Sequence, residues 1–137
     1  MSARYLVDKS ALARMPLAPV RERLAPIIAA GEAASCALID LEVLFSARNS
    51  RDYEQIRARR KLSYVSIPIT ESILQRAIAV QGRLAKRGQH RIPIPDLIIA
   101  ATAEAANMTV LHYDADFDRI AAVTSQPVEW VVPRGTV

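Results

Sequence analysis

The sequence predicts an α/β fold, a three-layer sandwich around a mostly parallel central sheet. Three observations carry that expectation. Short apolar runs of strand length alternate with longer stretches of helical period, the order produced when helices return the chain between parallel strands. Aspartates stand directly behind two of the short runs. The 137 residues are 51% hydrophobic and 23% charged, a globular balance sufficient for one core, with no repeat, linker or low-complexity tract. A single domain over residues 1–137 is expected.

In chain order, Tyr5–Val7 is a short apolar strand that ends at Asp8. Lys9–Arg14 has helical character and stops before Pro16. Val20–Ala30 carries Val20, Leu24, Ile27 and Ile28 at helical spacing and closes at Gly31, a suitable C′ residue. Ala33–Ala37 reads as the second strand. Leu41–Ala47 reads as a helix with Leu41, Leu44 and Phe45 on one face, and Arg51–Lys61 as a charged helix. Tyr64–Ile67 is a third strand closed by Pro68.

Thr70 is placed to cap a long helix through Arg87, with Leu74, Ala77, Ile78, Gln81, Leu84 and Ala85 as its inner stripe. Gly88 ends it, and the proline-marked link His90–Pro95 leads to Asp96 and an alanine-rich helix, Leu97–Asn107. Thr109–Tyr113 is the fourth strand and stops at Asp114. A short helix over Phe117–Val123 and a strand over Val128–Val132 complete the chain.

Composition removes several chemistries. The four glycines, at 31, 82, 88 and 135, are not spaced for a dinucleotide loop or a P-loop. One cysteine, Cys36, and two histidines, His90 and His112, do not make a structural zinc site or a disulfide framework. Metal chemistry based on oxygen ligands remains open. The N-terminal stretch carries charge among its first hydrophobic residues, unlike a signal peptide, and no apolar run approaches bilayer length. A cytoplasmic protein without membrane association is expected.

In parallel sheets the ligand crevice lies outside the carboxyl ends of the strands. Asp8 and Asp114 leave two strands there, Asp96 opens a helix just after a proline, and Glu42 lies one turn into its helix. Asp116, two residues beyond Asp114, is a candidate fifth member. Two like charges 4 Å apart repel by about 4 kcal/mol at an effective dielectric of 20, so protonation or a cation must relieve such a group. Mg²⁺ or Mn²⁺, which prefer carboxylate and water oxygens, suit it, and two such ions suit in-line attack of water on a phosphodiester. Each acid also has a plain structural reading. Asp8 and Asp96 can be helix caps, Glu42 has a competitor in Asp40, which can be the N-cap of the same helix, and Asp114, Asp116 and Asp118 can form an ordinary acidic loop. His112, at a strand end, is expected to be packed rather than catalytic, Cys36 to be an inert buried thiol, and Trp130 to pack in the core or at an edge.

Taken together, Leu-Val-Asp8-Lys-Ser-Ala-Leu, Asp40-Leu-Glu42, Ile-Pro-Asp96-Leu-Ile-Ile-Ala and Asp114-Ala-Asp116-Phe-Asp-Arg-Ile resemble the PIN-domain ribonucleases, and more narrowly the VapC toxins of bacterial toxin–antitoxin pairs. The likeness runs along the whole chain in order. It implies that the acidic quartet falls on Asp8, Glu42, Asp96 and Asp114, with Asp116 as the usual fifth acid and Asp8, Asp96, Asp114 and Asp116 as metal ligands. It further implies metal-dependent endonucleolytic cleavage of RNA, often structured tRNA or rRNA, a VapB-like antitoxin and a homodimer. Ser10 matches the small hydroxyl residue common after the first Asp, where it can steady a ligand or a metal-bound water. Lys9 departs from the Thr, Ser or Ala of many relatives, and His112-Tyr113 from the Thr or Ser that often precedes the fourth acid.

The net charge of +4 and a pI near 9.6 fit a polyanionic partner. Residues 48–61 and 76–91 together hold 11 of the 18 Lys and Arg and only 2 of the 14 acids. Arg57, Arg60, Lys61, Arg83 and Lys86 are therefore candidate RNA-binding residues, the plain alternative being solvated helix faces. With aromatics at 5%, recognition by shape and phosphate is expected over base stacking. The segments Leu41–Lys61 and Thr70–Gly88 are candidates for dimer or antitoxin contact. Two other classes remain at this point: a phosphotransfer or haloacid-dehalogenase-like hydrolase, which also sets aspartates at strand ends, and a non-cleaving PIN-like metal- or RNA-binding module.

Overall fold

A computed structural model describes residues 3–137; Met1 and Ser2, the first residues of the stretch read as lacking a signal sequence, lie outside the described residues. The elements are β1 (Tyr5–Val7), α1 (Lys9–Leu12), α2 (Ala18–Ala29), β2 (Ala33–Ser35), α3 (Ala37–Leu44), α4 (Ser50–Ser63), β3 (Val65–Ser66), α5 (Glu71–Ala85), α6 (Ile94–Ala105), β4 (Thr109–His112), α7 (Asp116–Thr124) and β5 (Val128–Trp130). The sheet runs β3-β2-β1-β4-β5 and every neighbouring pair is parallel.

Strand register sets the layers. Leu6 on β1 aligns with Ala34 on β2 and Val110 on β4, and these three face a core built with Ile73, Leu84, Ile99, Phe117 and Ile120 from α5, α6 and α7. Val7, Ala33 and Leu111 point the opposite way and pack with Val20, Leu24 and Ile27 of α2. Side chains alternate across a strand, so a three-residue strand supplies both cores. Successive strands step outward from β1 to β2 and β3, and the chain then crosses to place β4 on the other side of β1. The winding reverses between β1 and β4, and the loops leaving their carboxyl ends diverge there to leave a crevice.

Several boundaries differ from the sequence expectation, each for a local reason. β2 stops at Ser35 because Cys36, with extended backbone (φ −131°, ψ 166°), is the N-cap of α3, which therefore starts at Ala37 rather than Leu41. Asp40 is thus inside α3 and does not cap it, and Glu42 lies deeper than one turn. α6 begins at Ile94, three residues before the expected Leu97, because Pro95 occupies its first turn, where a missing N–H leaves no helical bond unmade. On α5, Thr70 does cap, accepting from the Ile73 N–H at 3.2 Å, but the buried stripe is Ile73, Ala77, Val80 and Leu84. The expected stripe mixed that face with the next one around, so Ile78 is 59% exposed. None of the described helices is long and apolar enough to cross a membrane.

Candidate active site

Five carboxylates converge on the crevice between β1 and β4, and each arrives by a different local device. Asp8 follows β1 directly and caps α1, its Oδ2 accepting the Ser10 N–H at 2.9 Å. It is buried, and burial pushes its carboxyl up; the bonds from Ser10 oppose that rise, and the Asp114 charge adds to it. The cap and the site residue are therefore one side chain. Ser10 also accepts the Tyr113 N–H through Oγ at 2.9 Å, tying the β1 exit to the β4 exit.

Asp114 is held from both sides. Its own N–H donates to Nδ1 of His112 at 3.0 Å, and its Oδ1 accepts the Asp116 N–H at 2.9 Å. Asp96 sits in the first turn of α6, buried, with Oδ2 buried and without a hydrogen-bond partner. Burial first, then the charges of Asp114, Asp8, Asp116 and Glu42, push its carboxyl up to about 8. Glu42 enters from α3 with Oε1 likewise buried and unpartnered; burial and Asp8 raise its carboxyl, and Lys9 pulls it back.

One oxygen each from Asp96, Asp114 and Asp116 lie within 4.8 Å of one another. Asp8 and Glu42 complete this row of acids, coupled to Asp96 by charge, but lie outside that tightest group. The donor set is all carboxylate oxygen, the preference of hard divalent cations, and two of its oxygens are buried with nothing to bond. Burying ionised carboxylates without partners costs several kcal/mol each, so the row fits a divalent cation. Asp116 has a protein partner as well, an ion pair with Arg119 one turn along α7.

His112 is fully buried, with Phe117 and Trp130 ring centroids each 5.0 Å away. It is packed, as expected, but it is also the acceptor that orients Asp114, a role that residue type alone does not signal. Burial pushes its imidazole down. Cys36 is buried and Trp130 packs on His112 and Tyr113, with its indole N–H on Asp118 at 3.1 Å.

The basic residues separate into two kinds. Arg57, Lys61, Arg83 and Lys86 are exposed. Arg60 is not available in the same way: its side chain is only 9% exposed, with Nε on Asp40 Oδ1 at 2.9 Å and Nη2 on Ser35 Oγ at 2.8 Å. Ser35 closes the triangle by donating to Asp40 at 2.7 Å, so Arg60 ties α4 to β2 and α3. Arg76 is similarly engaged, with two bonds to Glu104 that join α5 to α6. A groove between α3 and α4 is lined by Leu41, Leu44, Tyr53, Arg57, Lys61 and Tyr64, and a shallower apolar one between α5 and α6 by Leu74, Ile78, Ile94 and Ile98.

Residues 5–123 match the PIN domain family. The chain is 48% identical to Ribonuclease VapC21 of Mycobacterium tuberculosis across 99% of both chains, and 43% identical to Ribonuclease VapC51 of the same organism, over 100% of this chain and 99% of that one. Among solved structures, VapBC2 from Rickettsia felis, bound to a DNA fragment from its promoter, superposes over 95% of this chain and 99% of the matched chain. The TM-score is 0.72 at 18% identity, a likeness of fold.

Proposed function

This chain belongs to the PIN-domain family, in the company of the VapC ribonucleases, and from that premise we propose that it is a Mg²⁺- or Mn²⁺-dependent endoribonuclease restrained by a VapB-like antitoxin. The observation that carries the reading is Asp96: a buried carboxylate with an unpartnered oxygen, surrounded by four others, in a group that a hard cation would complete. The family assignment sets aside the phosphotransfer and haloacid-dehalogenase readings.

In this reading Asp96, Asp114 and Asp116 hold the cation, with Asp8 as the further carboxylate coupled to them by charge. The ion supplies charge to offset the phosphate and to make a water acidic enough to attack at neutral pH. The protein's own residues do the rest. Glu42, with Oε1 free of hydrogen bonds, takes a proton from the attacking water as its oxygen bonds to phosphorus; the scissile P–O bond breaks, and the departing oxygen is protonated from solvent. His112 and Ser10 hold the two loops in register while this occurs.

The substrate is structured RNA, tRNA or rRNA, steered by Arg57 and Lys61 on one side and by Arg83 and Lys86 on the other. The antitoxin occupies the α3–α4 groove, where Leu41 is 63% exposed, and directs a basic side chain into the acidic row. Solved structures of the same fold include a toxin–antitoxin complex from Klebsiella pneumoniae, which supports that partner. The neutral α5–α6 face suits a homodimer, and the expected compartment is the cytoplasm.

The test is cleavage of purified tRNA and rRNA with Mg²⁺ or Mn²⁺ and with chelator. Metal-dependent strand scission that disappears in Asp96→Asn supports the reading. Scission that persists in chelator, or in Asp96→Asn at wild-type rate, removes the carboxylate row from the chemistry. Metal and RNA binding without scission leaves the non-cleaving module.

A further inference from the structure

A nuclease of this kind must bring a phosphodiester against a row of five carboxylates, and a basic side chain beside that row would offset the repulsion. Two of the basic side chains are placed there. Lys9 is close enough to Glu42 to lower its carboxyl. Arg119 lies beside the triad, its Nη1 paired with Asp116 Oδ1, and among the described residues it is the cation hydrogen-bonded to a member of the Asp96, Asp114 and Asp116 group.

We propose that Arg119 is a catalytic residue, a phosphate clamp whose guanidinium binds a non-bridging oxygen of the scissile phosphodiester. The proposal rests on the nuclease reading above. Its geometry follows from helix spacing, since residues i and i+3 share a face and Arg119 stands one turn after Asp116 at the start of α7. Asp116 occupies one edge of the guanidinium with a single N–H, and a guanidinium has five in a planar fork that matches phosphate oxygens. The side chain is 50% exposed, so N–H groups not bonded to Asp116 remain accessible to a phosphate. Only Oδ1 of Asp116 is engaged, which leaves the second oxygen for a cation, so clamp and metal are compatible.

As an i,i+3 pair with the acid on the N-terminal side, Asp116 and Arg119 stabilise α7 only slightly, and the helix dipole opposes a cation this near the N-terminus. Nor does the pair tie two elements together, as Arg60 and Arg76 do; it begins and ends on α7. Arg119 also stands outside both basic stripes, which is why charge counting passes over it.

Three measurements on Arg119→Ala, Arg119→Lys and the control Arg23→Ala decide the matter; Arg23 pairs with Glu129 on the surface and is remote in sequence from every acid of the row. They are Mn²⁺ affinity by calorimetry, binding of inorganic phosphate to the Mn²⁺-loaded protein, and single-turnover cleavage of bulk tRNA. For Arg119→Ala the expected result is a loss of phosphate binding and a fall in the maximal cleavage rate of about 100-fold, the effect of deleting one charge-stabilising donor, with half-saturation by RNA little changed. Arg119→Lys should recover part of the rate, since it keeps the charge and loses the fork. Mn²⁺ affinity should hold or tighten slightly. Wild-type phosphate binding and cleavage in Arg119→Ala would overturn the clamp while leaving the nuclease reading intact. So would markedly tighter Mn²⁺ binding with normal cleavage, which would make Arg119 only the counter-ion of Asp116. A wild-type protein that cuts no RNA with any metal would remove the nuclease reading and the clamp together.

Discussion

His112 accepts the backbone N–H of Asp114 through Nδ1 at 3.0 Å, which fixes the last carboxylate of the quartet by way of a buried ring. That bond requires a bare Nδ1, so the proton of the neutral ring is on Nε2. Burial, which holds the imidazole below its usual range, keeps it in that neutral form.

The bond predicts an ordering among substitutions at 112. An asparagine places Oδ1 close to where Nδ1 stands and preserves the acceptor, whereas phenylalanine preserves the packing on Phe117 and Trp130 and removes it. Mn²⁺ affinity in His112→Phe should drop by about tenfold, the scale on which second-shell bonds tune metal sites, with His112→Asn closer to wild type. Calorimetry decides it. Equal affinities in the two variants would mean that the loop after β4 holds Asp114 unaided.

The row of acids predicts an unusual pH dependence of stability without metal. Asp96 has its folded-state carboxyl raised from 3.8 to about 8, so between those values the folded protein keeps a proton that the unfolded chain has lost. Stability must then fall as pH rises, by up to about 1.4 kcal/mol per pH unit for one proton, with Asp8 and Glu42 displaced in the same direction. Thermal melts in chelator should give a lower Tm at pH 8 than at pH 5, and Asp96→Asn should flatten the slope and raise Tm at pH 8. Added Mn²⁺ should restore the wild type at pH 8 and do little for Asp96→Asn. A wild-type Tm independent of pH over this range would mean that Asp96 is not protonated in the metal-free fold.

Charge reversal separates the two basic faces. Arg57→Glu with Lys61→Glu, and Arg83→Glu with Lys86→Glu, alter exposed groups on different helices. The face that meets RNA should lose affinity, and its salt dependence should flatten by roughly one counterion-release unit per lost phosphate contact. Mn²⁺ affinity should not change in either. Arg60 is unsuitable for this experiment: reversing it places a second acid against Asp40 and should cost about 3 kcal/mol of stability. Equal RNA affinity and equal salt slope in both paired variants would make these faces ordinary solvated surface.

The order of strands and helices was legible along the chain because burial imposes a period. Leu6 and Val7 alternate, and α2 repeats its apolar residues every three or four positions. Element ends were less legible. Cys36-Ala37-Leu38-Ile39 is apolar enough to continue a strand, but Cys36 is the last extended residue and Ala37–Ile39 form the first turn of α3. On α5, two adjacent apolar faces have the same period, and the assembled core decides between them, burying Ile73, Ala77 and Val80 and leaving Ile78 largely exposed in the shallow groove beside α6.

For the site, the sequence by itself determined which acids stand behind strands and at helix starts, because those positions follow from local chain geometry and are marked by residue type. Tertiary structure alone decided the rest. Strand order sets β1 beside β4 and so brings Asp8 toward Asp114, residues that are distant along the chain. It decided that Asp96 is buried with an unpartnered oxygen, that Arg60 is tied down on Asp40 while Arg57 stays free, and that His112 orients a carboxylate. These are properties of side chains contributed by different elements, and their energies depend on burial and on distances of a few ångströms. No local period in a sequence encodes such distances, because they exist only once the sheet has assembled.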